Sequence, residues 1–161
     1  MASRFLSQTD RNFFETVNKE LLGSPRDKKD GVINTFVKLF RLSVENTATN
    51  LYGEASAGKI YLPGVQLPSL VSAEDFDFNT DEFGPDNSQM ATFSFLRQSF
   101  IDASMVLEIG DLIDWNYAYF EVGSVNENQL VGGMYDQNLS VVASTFLVRK
   151  SSIQIERVRS I

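Results

Sequence analysis

The chain has 161 residues and a formal net charge of −7, with the proportions of hydrophobic (43%) and charged (22%) residues of a globular protein. We therefore expect one folded domain with a sizeable core, and neither a disordered chain nor a membrane protein. The absence of His and Cys excludes Ser-His-Asp and Cys-His nucleophiles, zinc sites with the usual ligands, and disulfide bonds.

The first predicted element is an N-terminal α-helix. Its apolar residues recur at helical spacing: Phe13, Phe14, Val17 and Leu21. The candidate capping residues Ser7, Thr9 and Asp10 precede them, and the helix is predicted to end at Gly23 and Pro25. Residues 1–30 are therefore predicted to form a helix and a linker, and residues 31–161 a single β-barrel-like domain.

The next part of the chain is predicted to be extended. Residues 32–43 alternate with period two, which predicts a long strand. Residues 45–58 are small and polar and indicate a loop or an edge hairpin. Residues 59–69 are predicted to be a short extended piece, which Pro63 and Pro68 restrict to the edge of a sheet.

Almost all of the second half carries strand patterns. Strands are predicted at residues 92–102, 104–109, 111–115, 119–125, 129–135, 140–149 and 152–158. Turns are predicted at residues 116–117, 126–128 and 136–138, and bends or bulges at Gly110, Gly123, Gly132 and Gly133. Short strands at this spacing predict a mainly β fold, an antiparallel β-barrel or β-sandwich with an N-terminal α-helix.

Charge is distributed unevenly along the sequence. Eight of the 14 basic residues lie between Arg4 and Arg41 and four between Arg149 and Arg159, whereas residues 60–148 contain 13 acids and one base, Arg97. One interpretation is a solvated acidic face. The other is that one surface is negative and another positive, which suits head-to-tail contacts between the subunits of a ring.

The acidic balance argues against a protein whose main task is to grip phosphate backbones. The sequence has no run of 18 apolar residues, and its start lacks the apolar stretch of a signal peptide. We therefore expect the protein to be made and kept in the cytoplasm.

Two segments imitate ligand-binding loops without completing them. Residues 53–59 match a phosphate-binding loop, but Ile60 stands where that loop has a metal-binding Ser or Thr. Residues 75–86 imitate a calcium loop, but Thr80 replaces the Gly that makes its sharp turn. We therefore expect neither nucleotide nor calcium binding, and predict no cofactor, metal or catalytic site.

Acidic and aromatic residues leave two other functions open. Two pairs of acids could act as general acid and base on a sugar: Asp111 with Asp114, and Glu108 with Glu121. Three aromatic residues suit stacking on a sugar or a base, but equally a barrel rim or a subunit interface: Trp115, Tyr117 and Tyr119. The alternatives are a small carbohydrate- or ligand-binding β-barrel module and a carboxylate-dependent hydrolase, which would need two acids of unlike pKa in a concave site.

Five short segments of the second half form a recognisable series: Gly110-Asp111-Leu112-Ile113, Tyr119-Phe120-Glu121-Val122 with Val125, Asn128-Gln129, Thr145-Phe146-Leu147-Val148-Arg149, and Ile153-Gln154-Ile155. The series resembles the neck proteins of contractile-tailed bacteriophages of the T-even type, in the component that closes the head beneath the portal. The resemblance covers residues 88–156, with weaker support from residues 31–43 as the first strand. Residues 44–88 do not match the family pattern, and the chain is considerably shorter.

The resemblance implies a structural role without enzymatic activity. It implies a homo-oligomeric ring, hexameric in form, in the neck of the virion, between the portal and adaptor proteins above and the tail terminator and tail proteins below. DNA would pass through the channel of the ring without sequence-specific binding, and no membrane would be involved. The ring would assemble in the host cytoplasm.

Two sets of site residues are predicted on this basis. A channel-facing or gating loop is predicted to contain Asp75, Asp77, Asp81, Glu82 and Asp86. An acidic channel wall would repel DNA phosphates and let the genome slide. A subunit or partner interface is predicted to contain Trp115, Tyr117, Tyr119, Arg149, Lys150, Arg157 and Arg159.

Overall fold

A computed structural model of the chain describes residues 7–24, 29–47, 58–75, 77–81, 84–128, 138–149 and 153–155. The helices are α1 (Gln8–Leu22) and α2 (Arg97–Asp102). The strands are β1 (Gly23–Ser24), β2 (Lys29–Asp30), β3 (Phe36–Phe40), β4 (Lys59–Tyr61), β5 (Val65–Pro68), β6 (Leu70–Ala73), β7 (Asp77–Asp81), β8 (Gly84–Ser88), β9 (Met90–Leu96), β10 (Leu112–Trp115), β11 (Ala118–Asn128), β12 (Ser140–Val148) and β13 (Ile153–Ile155). The predicted class, mainly β with an N-terminal helix, is confirmed.

Seven strands form one antiparallel sheet in the order β5-β3-β10-β11-β12-β9-β6. The two outer strands of this sheet, β5 and β6, are consecutive in the sequence and are separated by Ser69 alone. Because β5 pairs with β3 while β6 pairs with β9, residues 65–73 form one bent strand that belongs to both ends of the sheet. The sheet therefore closes on itself as a barrel.

Ser69 is the residue at which the bent strand changes its pairing partner. Its backbone N–H donates to the carbonyl oxygen of Thr35 at 3.0 Å on one side. Its hydroxyl, which is fully buried, lies 3.2 Å from the carbonyl oxygen of Ser94 on the other side. Pro68 immediately precedes it and has no N–H to give to a ladder, so the predicted edge proline occupies the interruption between the two pairings.

Alternate residues of the strands fill the inside of the barrel. The largest of these fully buried side chains are Val37, Leu39, Phe93, Phe95, Ile113, Phe120 and Val122. Phe93 and Phe120 pack edge to face with their ring centroids 5.8 Å apart. The helix α2 lies next to this core through Phe100, whose ring centroid is 5.2 Å from that of Phe95.

A second, smaller layer covers part of the outside of the barrel. The strands β4 and β13 pair in parallel and bring Tyr61 into a cluster with Phe40 and Leu112, which face outward from the barrel wall. Burying these apolar groups against one another joins the end of the chain to its first half.

Three predicted elements of the second half are wrong. Residues 97–102, predicted as the end of a strand, form α2, since Phe100 packs inward and Gln98 donates to Asp102 one helical turn away at 2.9 Å. Residues 104–109 contain no strand, and the backbone of Ser104 has a φ of 52°. Residues 126–128, predicted as a turn, continue β11 in register with β12.

Other predicted boundaries are partly right. Residues 32–43 contain the predicted strand only over Phe36–Phe40, and residues 59–69 divide into β4 and β5, which pair with different partners. The bulge at Gly123 is confirmed by a shift of register between Val122 and Ser124. The predicted strand at residues 129–135, the glycines 132 and 133, and most of residues 152–158 lie outside the described residues.

None of the helices that the structure describes is both long enough and apolar enough to span a membrane. The division of the chain at residue 30 into a helical segment and a barrel domain stays a prediction.

The closure at Ser69 gives a prediction about stability. Ser69→Ala removes the hydroxyl that reaches Ser94 and leaves a buried carbonyl with one partner fewer, so we expect the free energy of unfolding to fall by about 1–2 kcal/mol. Ser72→Ala, an exposed position on the same bent strand, is the control and should change it by less than about 0.5 kcal/mol. Urea denaturation followed by tryptophan fluorescence measures both values, and equal losses would contradict a role of the hydroxyl in closure.

Candidate functional site

Helix α1 lies against the barrel with its polar side. The helix begins at Ser7, whose hydroxyl accepts from the backbone N–H of Asp10 at 3.2 Å in a capping box. Half-buried polar residues of the next turns line a narrow crevice between the helix and residues 96–98, 101 and 138–139: Arg11, Glu15, Asn18 and Lys19. Polar side chains therefore make the contact between the helix and the barrel.

The apolar side of α1 faces away from the barrel. Phe13, Phe14, Val17 and Leu21 are 64%, 45%, 44% and 42% exposed, and the buried residue of the helix is Leu22 at its last position. In a surface helix the apolar stripe normally packs on the core and the polar side faces water. The orientation of α1 is the reverse, so its apolar stripe has no partner among the described residues of its own chain.

The crevice beneath α1 contains an unsatisfied polar atom. Asn138 is buried, and its Nδ2 donates to a carboxylate oxygen of Glu127 at 2.6 Å. Its Oδ1 accepts no hydrogen bond from the described residues. The crevice has a volume of about 10 Å³, which is about the space that one water molecule needs. The contact between helix and barrel is therefore incompletely packed around a buried polar side chain.

The predicted gating loop is, in its described part, a hairpin arm. The strands β7 and β8 pair antiparallel and continue the β6–β9 pair beyond Glu74. Asp75 is exposed at the base of the arm, Asp77 and Asp81 lie in β7, and Asp86 lies in β8 opposite Asn79. Glu82 lies outside the described residues.

A Gly-Pro pair belongs to this arm as well. Residues 84–85 form the start of β8, with Pro85 opposite Thr80.

The predicted aromatic group is divided between three environments. Trp115 packs inward, with its ring centroid 6.1 Å from that of Phe93. Tyr119 faces outward under the second layer, 6.3 Å from Phe40 between ring centroids. Tyr117 is 90% exposed at the turn between β10 and β11. The structure therefore does not bring the three aromatic residues together on one stacking surface.

The turn that carries Tyr117 has an unusual backbone. Asn116 and Tyr117 have φ angles of 50° and 64°, and Trp115 pairs with Ala118 across them. Both central residues of a two-residue hairpin turn of type I′ need positive φ, which Asn and Gly tolerate best. The predicted turn at residues 116–117 is therefore confirmed, and Tyr117 is held in a conformation that favours Gly.

A shallow depression lies beside this turn on the barrel wall. It has a volume of about 480 Å³ and is lined by Phe36, Val37, Lys38, Gln66, Asp114, Trp115, Asn116 and Tyr117. Two of the three predicted aromatic residues thus meet charged and amide side chains at one place. This mixture of aromatic and polar groups is typical of ligand sites.

One member of each predicted acid pair, Asp111 and Glu121, has structural partners. Asp111 is buried and its carboxylate accepts from the backbone N–H groups of Leu42 at 2.9 Å and Glu108 at 3.0 Å. Burial raises the pKa of Asp111 above its usual value. Glu121 forms an ion pair with Lys59 of β4, and burial with the neighbouring acids raises the pKa of Tyr61 far above that of a free tyrosine.

These contacts tie the second layer to the barrel wall. Among the residues that the structure describes, no group of three or more acidic side chains could hold a metal ion. Of the predicted basic interface residues, Arg149 is exposed just after β12. Lys150, Arg157 and Arg159 lie outside the described residues.

No protein-family model matches the chain, and no curated protein is significantly similar to it.

The strained turn gives a second prediction. Tyr117→Gly places the residue that tolerates positive φ best at this position, so we expect the free energy of unfolding to rise by about 1 kcal/mol. Tyr117→Phe keeps the strain and removes only an exposed hydroxyl, so it should leave the value unchanged. Thermal unfolding of both variants decides the point, and a destabilised Tyr117→Gly variant would show that the aromatic ring contributes contacts that outweigh the strain.

Proposed function

We propose that the protein is a structural subunit of a homo-oligomeric ring in the neck of a contractile-tailed phage, in which it connects the portal and adaptor to the tail. The observation that carries the self-assembly part of this proposal is the orientation of α1. Four apolar side chains of this helix are about half exposed, and an apolar stripe of this kind is expected to be covered in the functional state.

A second copy of the chain is the simplest partner for the exposed stripe. Within its own chain, the side of α1 that faces the barrel is occupied by polar residues such as Arg11, Glu15 and Lys19, so the apolar stripe does not reach the barrel. The barrel interior is already filled by large side chains, so the stripe has to be covered from outside.

The neck location rests on the resemblance of residues 88–156 to head-closure proteins. The acidic arm supports it, because residues 74–88 carry five described acids and no base. An arm of this charge at the narrow part of a ring would repel DNA phosphates and let the genome pass without sticking. Virion localisation, passage of DNA and binding to portal, adaptor and tail proteins follow from this proposal.

Self-assembly is tested by the mass of the particle in solution. Light scattering coupled to size exclusion is expected to give a closed oligomer of the wild-type chain, hexameric on the resemblance. Phe14→Asp puts a charge into the stripe and should lower the oligomeric fraction at least tenfold. Asn12→Asp adds the same charge to an exposed position of α1 outside the stripe and should leave assembly intact.

Neck proteins can also assemble only on their neighbours, so the wild-type chain is measured a second time with a purified portal–adaptor complex. A strict monomer that also fails to bind this complex would overturn the proposed function.

The channel role of the arm has its own prediction. Reversal of Asp81, Glu82 and Asp86 to Lys should leave folding and ring formation nearly unchanged, since the hydrophobic core of the barrel is formed by other residues. Virions that carry the triple reversal should release their genome more slowly or leak it, as measured by DNA retention and ejection. Reversal of Glu45 and Glu108 to Lys, both exposed and outside the arm and α1, is the charge control. Wild-type retention and ejection would overturn the channel assignment.

One observation favours a second candidate function. The depression beside Trp115 and Tyr117 combines aromatic rings with Lys38, Gln66 and Asp114, as expected of a carbohydrate- or ligand-binding module. Binding on a glycan array that Tyr117→Gly abolishes would favour this candidate over the ring subunit.

A further inference from the structure

We propose that α1 of one copy docks on an uncharged outer wall of the barrel of the next copy, in a head-to-tail contact. This inference rests on the proposed self-assembly and adds to it which two surfaces meet. The wall is formed by the outward-facing positions of β6, β9 and β12, which we call the neutral wall: Leu70, Ser72, Met90, Thr92, Ser94, Val142, Ser144 and Phe146.

The alternation of the strands defines the neutral wall. Ala91, Phe93, Phe95, Val141 and Ala143 point into the core, so the residues between them face outward. All eight residues of the neutral wall are exposed or half-buried, and none carries a charge.

The neutral wall is distinctive because the rest of the described barrel surface carries charges of both signs. Exposed or half-buried acids lie at Asp102, Glu108, Asp114 and Glu127, and bases at Lys38, Arg41, Lys59, Arg97 and Arg149. Two of these bases lie beside acids, since Lys38 is opposite Asp114 in the β3–β10 register and Lys59 is paired with Glu121. A solvated barrel wall usually carries Lys and Glu at its outward positions, whereas the centre of a protein interface is depleted in charge. The composition of the neutral wall is therefore that of a covered surface.

The register arranges the neutral wall in three rows that run across the strands. Leu70, Ser94 and Val142 form one row, Ser72, Thr92 and Ser144 the middle row, and Met90 with Phe146 the third. The small middle row lies between two rows that contain large apolar side chains, which makes a trough. Since residues two apart on a strand are separated by about 7 Å, the outer rows are about 14 Å apart, which accommodates a helix of about 10–12 Å diameter.

Charge selects this wall as the partner of α1. Successive helix positions turn by 100°, which places Asp10 at the N-terminal end of the apolar stripe and Glu20 beside it, and both acids are exposed. The bases Arg11 and Lys19 face the crevice instead. The free side of α1 is therefore apolar with an acidic border.

This border argues against the other possible partners. If two α1 helices paired with each other, acids would meet acids in both directions: Asp10 with Asp10 and Glu20 with Glu20 when parallel, Asp10 with Glu20 when antiparallel. An anionic membrane would repel the same border, since helices that lie on membranes carry Lys and Arg there. The acidic parts of the barrel would repel it as well, whereas the neutral wall would not.

The geometry of assembly follows from the use of two different surfaces. A contact between α1 of one copy and the neutral wall of the next leaves one free helix and one free wall at the ends of every chain of subunits. Such a heterologous contact ends only when the last helix meets the first wall, which produces a ring.

Engineered cysteines test the contact directly, because the chain has no Cys of its own. Val17→Cys and Ser144→Cys are introduced in separate chains, which are mixed and oxidised, and disulfide-linked species are identified by mass spectrometry. We expect linked pairs of one Val17→Cys chain and one Ser144→Cys chain. Val17→Cys mixed with Gln66→Cys, an exposed position on β5, is the matched control and should give at least tenfold less product.

The outcomes separate this inference from the proposed function. Disulfides between two Val17→Cys chains would show that α1 helices pair with each other and would overturn the inference, while self-assembly would stand. Preferential linkage to Gln66→Cys, or an oligomer without linkage to Ser144→Cys, would also overturn the inference alone. A chain that stays monomeric by light scattering and gives no linked product would overturn both.

Discussion

The barrel depends on one bent strand that serves both ends of its sheet. Ser69 makes this possible, because its backbone hydrogen bond goes to the β3 side and its hydroxyl reaches the β9 side. Closure leaves no long unpaired edge at either end of the main sheet, where another chain could add a strand. It also fixes which residues of every strand point inward, and therefore which remain outside for contacts with other molecules.

A closed barrel filled by phenylalanines has its binding surfaces on the outside. Phe93, Phe95 and Phe120 occupy the interior together with aliphatic side chains, and the β4–β13 layer covers the wall around Phe40 and Leu112. The opposite wall of β6, β9 and β12 is left without such a layer among the described residues. One wall of the barrel is covered by a layer of its own chain and the other is not. The uncovered wall is therefore a candidate surface for contacts with another molecule.

Apolar alternation and turn residues predict many of the strands and turns of this fold, because these elements form between residues that are close in sequence. The alternation of Ile113, Phe120 and Ala143 with polar neighbours identifies the central strands, and Asn116 identifies their turn. The closure does not follow from such patterns, since nothing in residues 65–73 shows that one segment pairs with two partners far apart in sequence. The helix α2 was missed because Phe93, Phe95 and Leu96 extend an apolar pattern up to its first turn, where short strands and helices look alike.

The orientation of α1 shows a further limit of sequence patterns. The spacing of Phe13, Val17 and Leu21 correctly predicts an apolar stripe, but an apolar stripe is equally compatible with the core of its own chain and with a partner. The structure distinguishes these two possibilities. The polar side of the helix lies against the barrel at the crevice beside Asn138 and Glu127, so the apolar stripe does not pack on the core of its own chain.

That orientation also bears on how copies of an acidic chain can associate. A contact between the basic ends of the sequence in one copy and the acidic middle of the sequence in another would be weakened by salt. A contact between an apolar helix face and an uncharged wall depends on burial of apolar surface, which salt does not screen. The net charge of −7 opposes arrangements that bring acidic surfaces together, and the proposed contact with the neutral wall avoids this repulsion because none of the residues of that wall is charged.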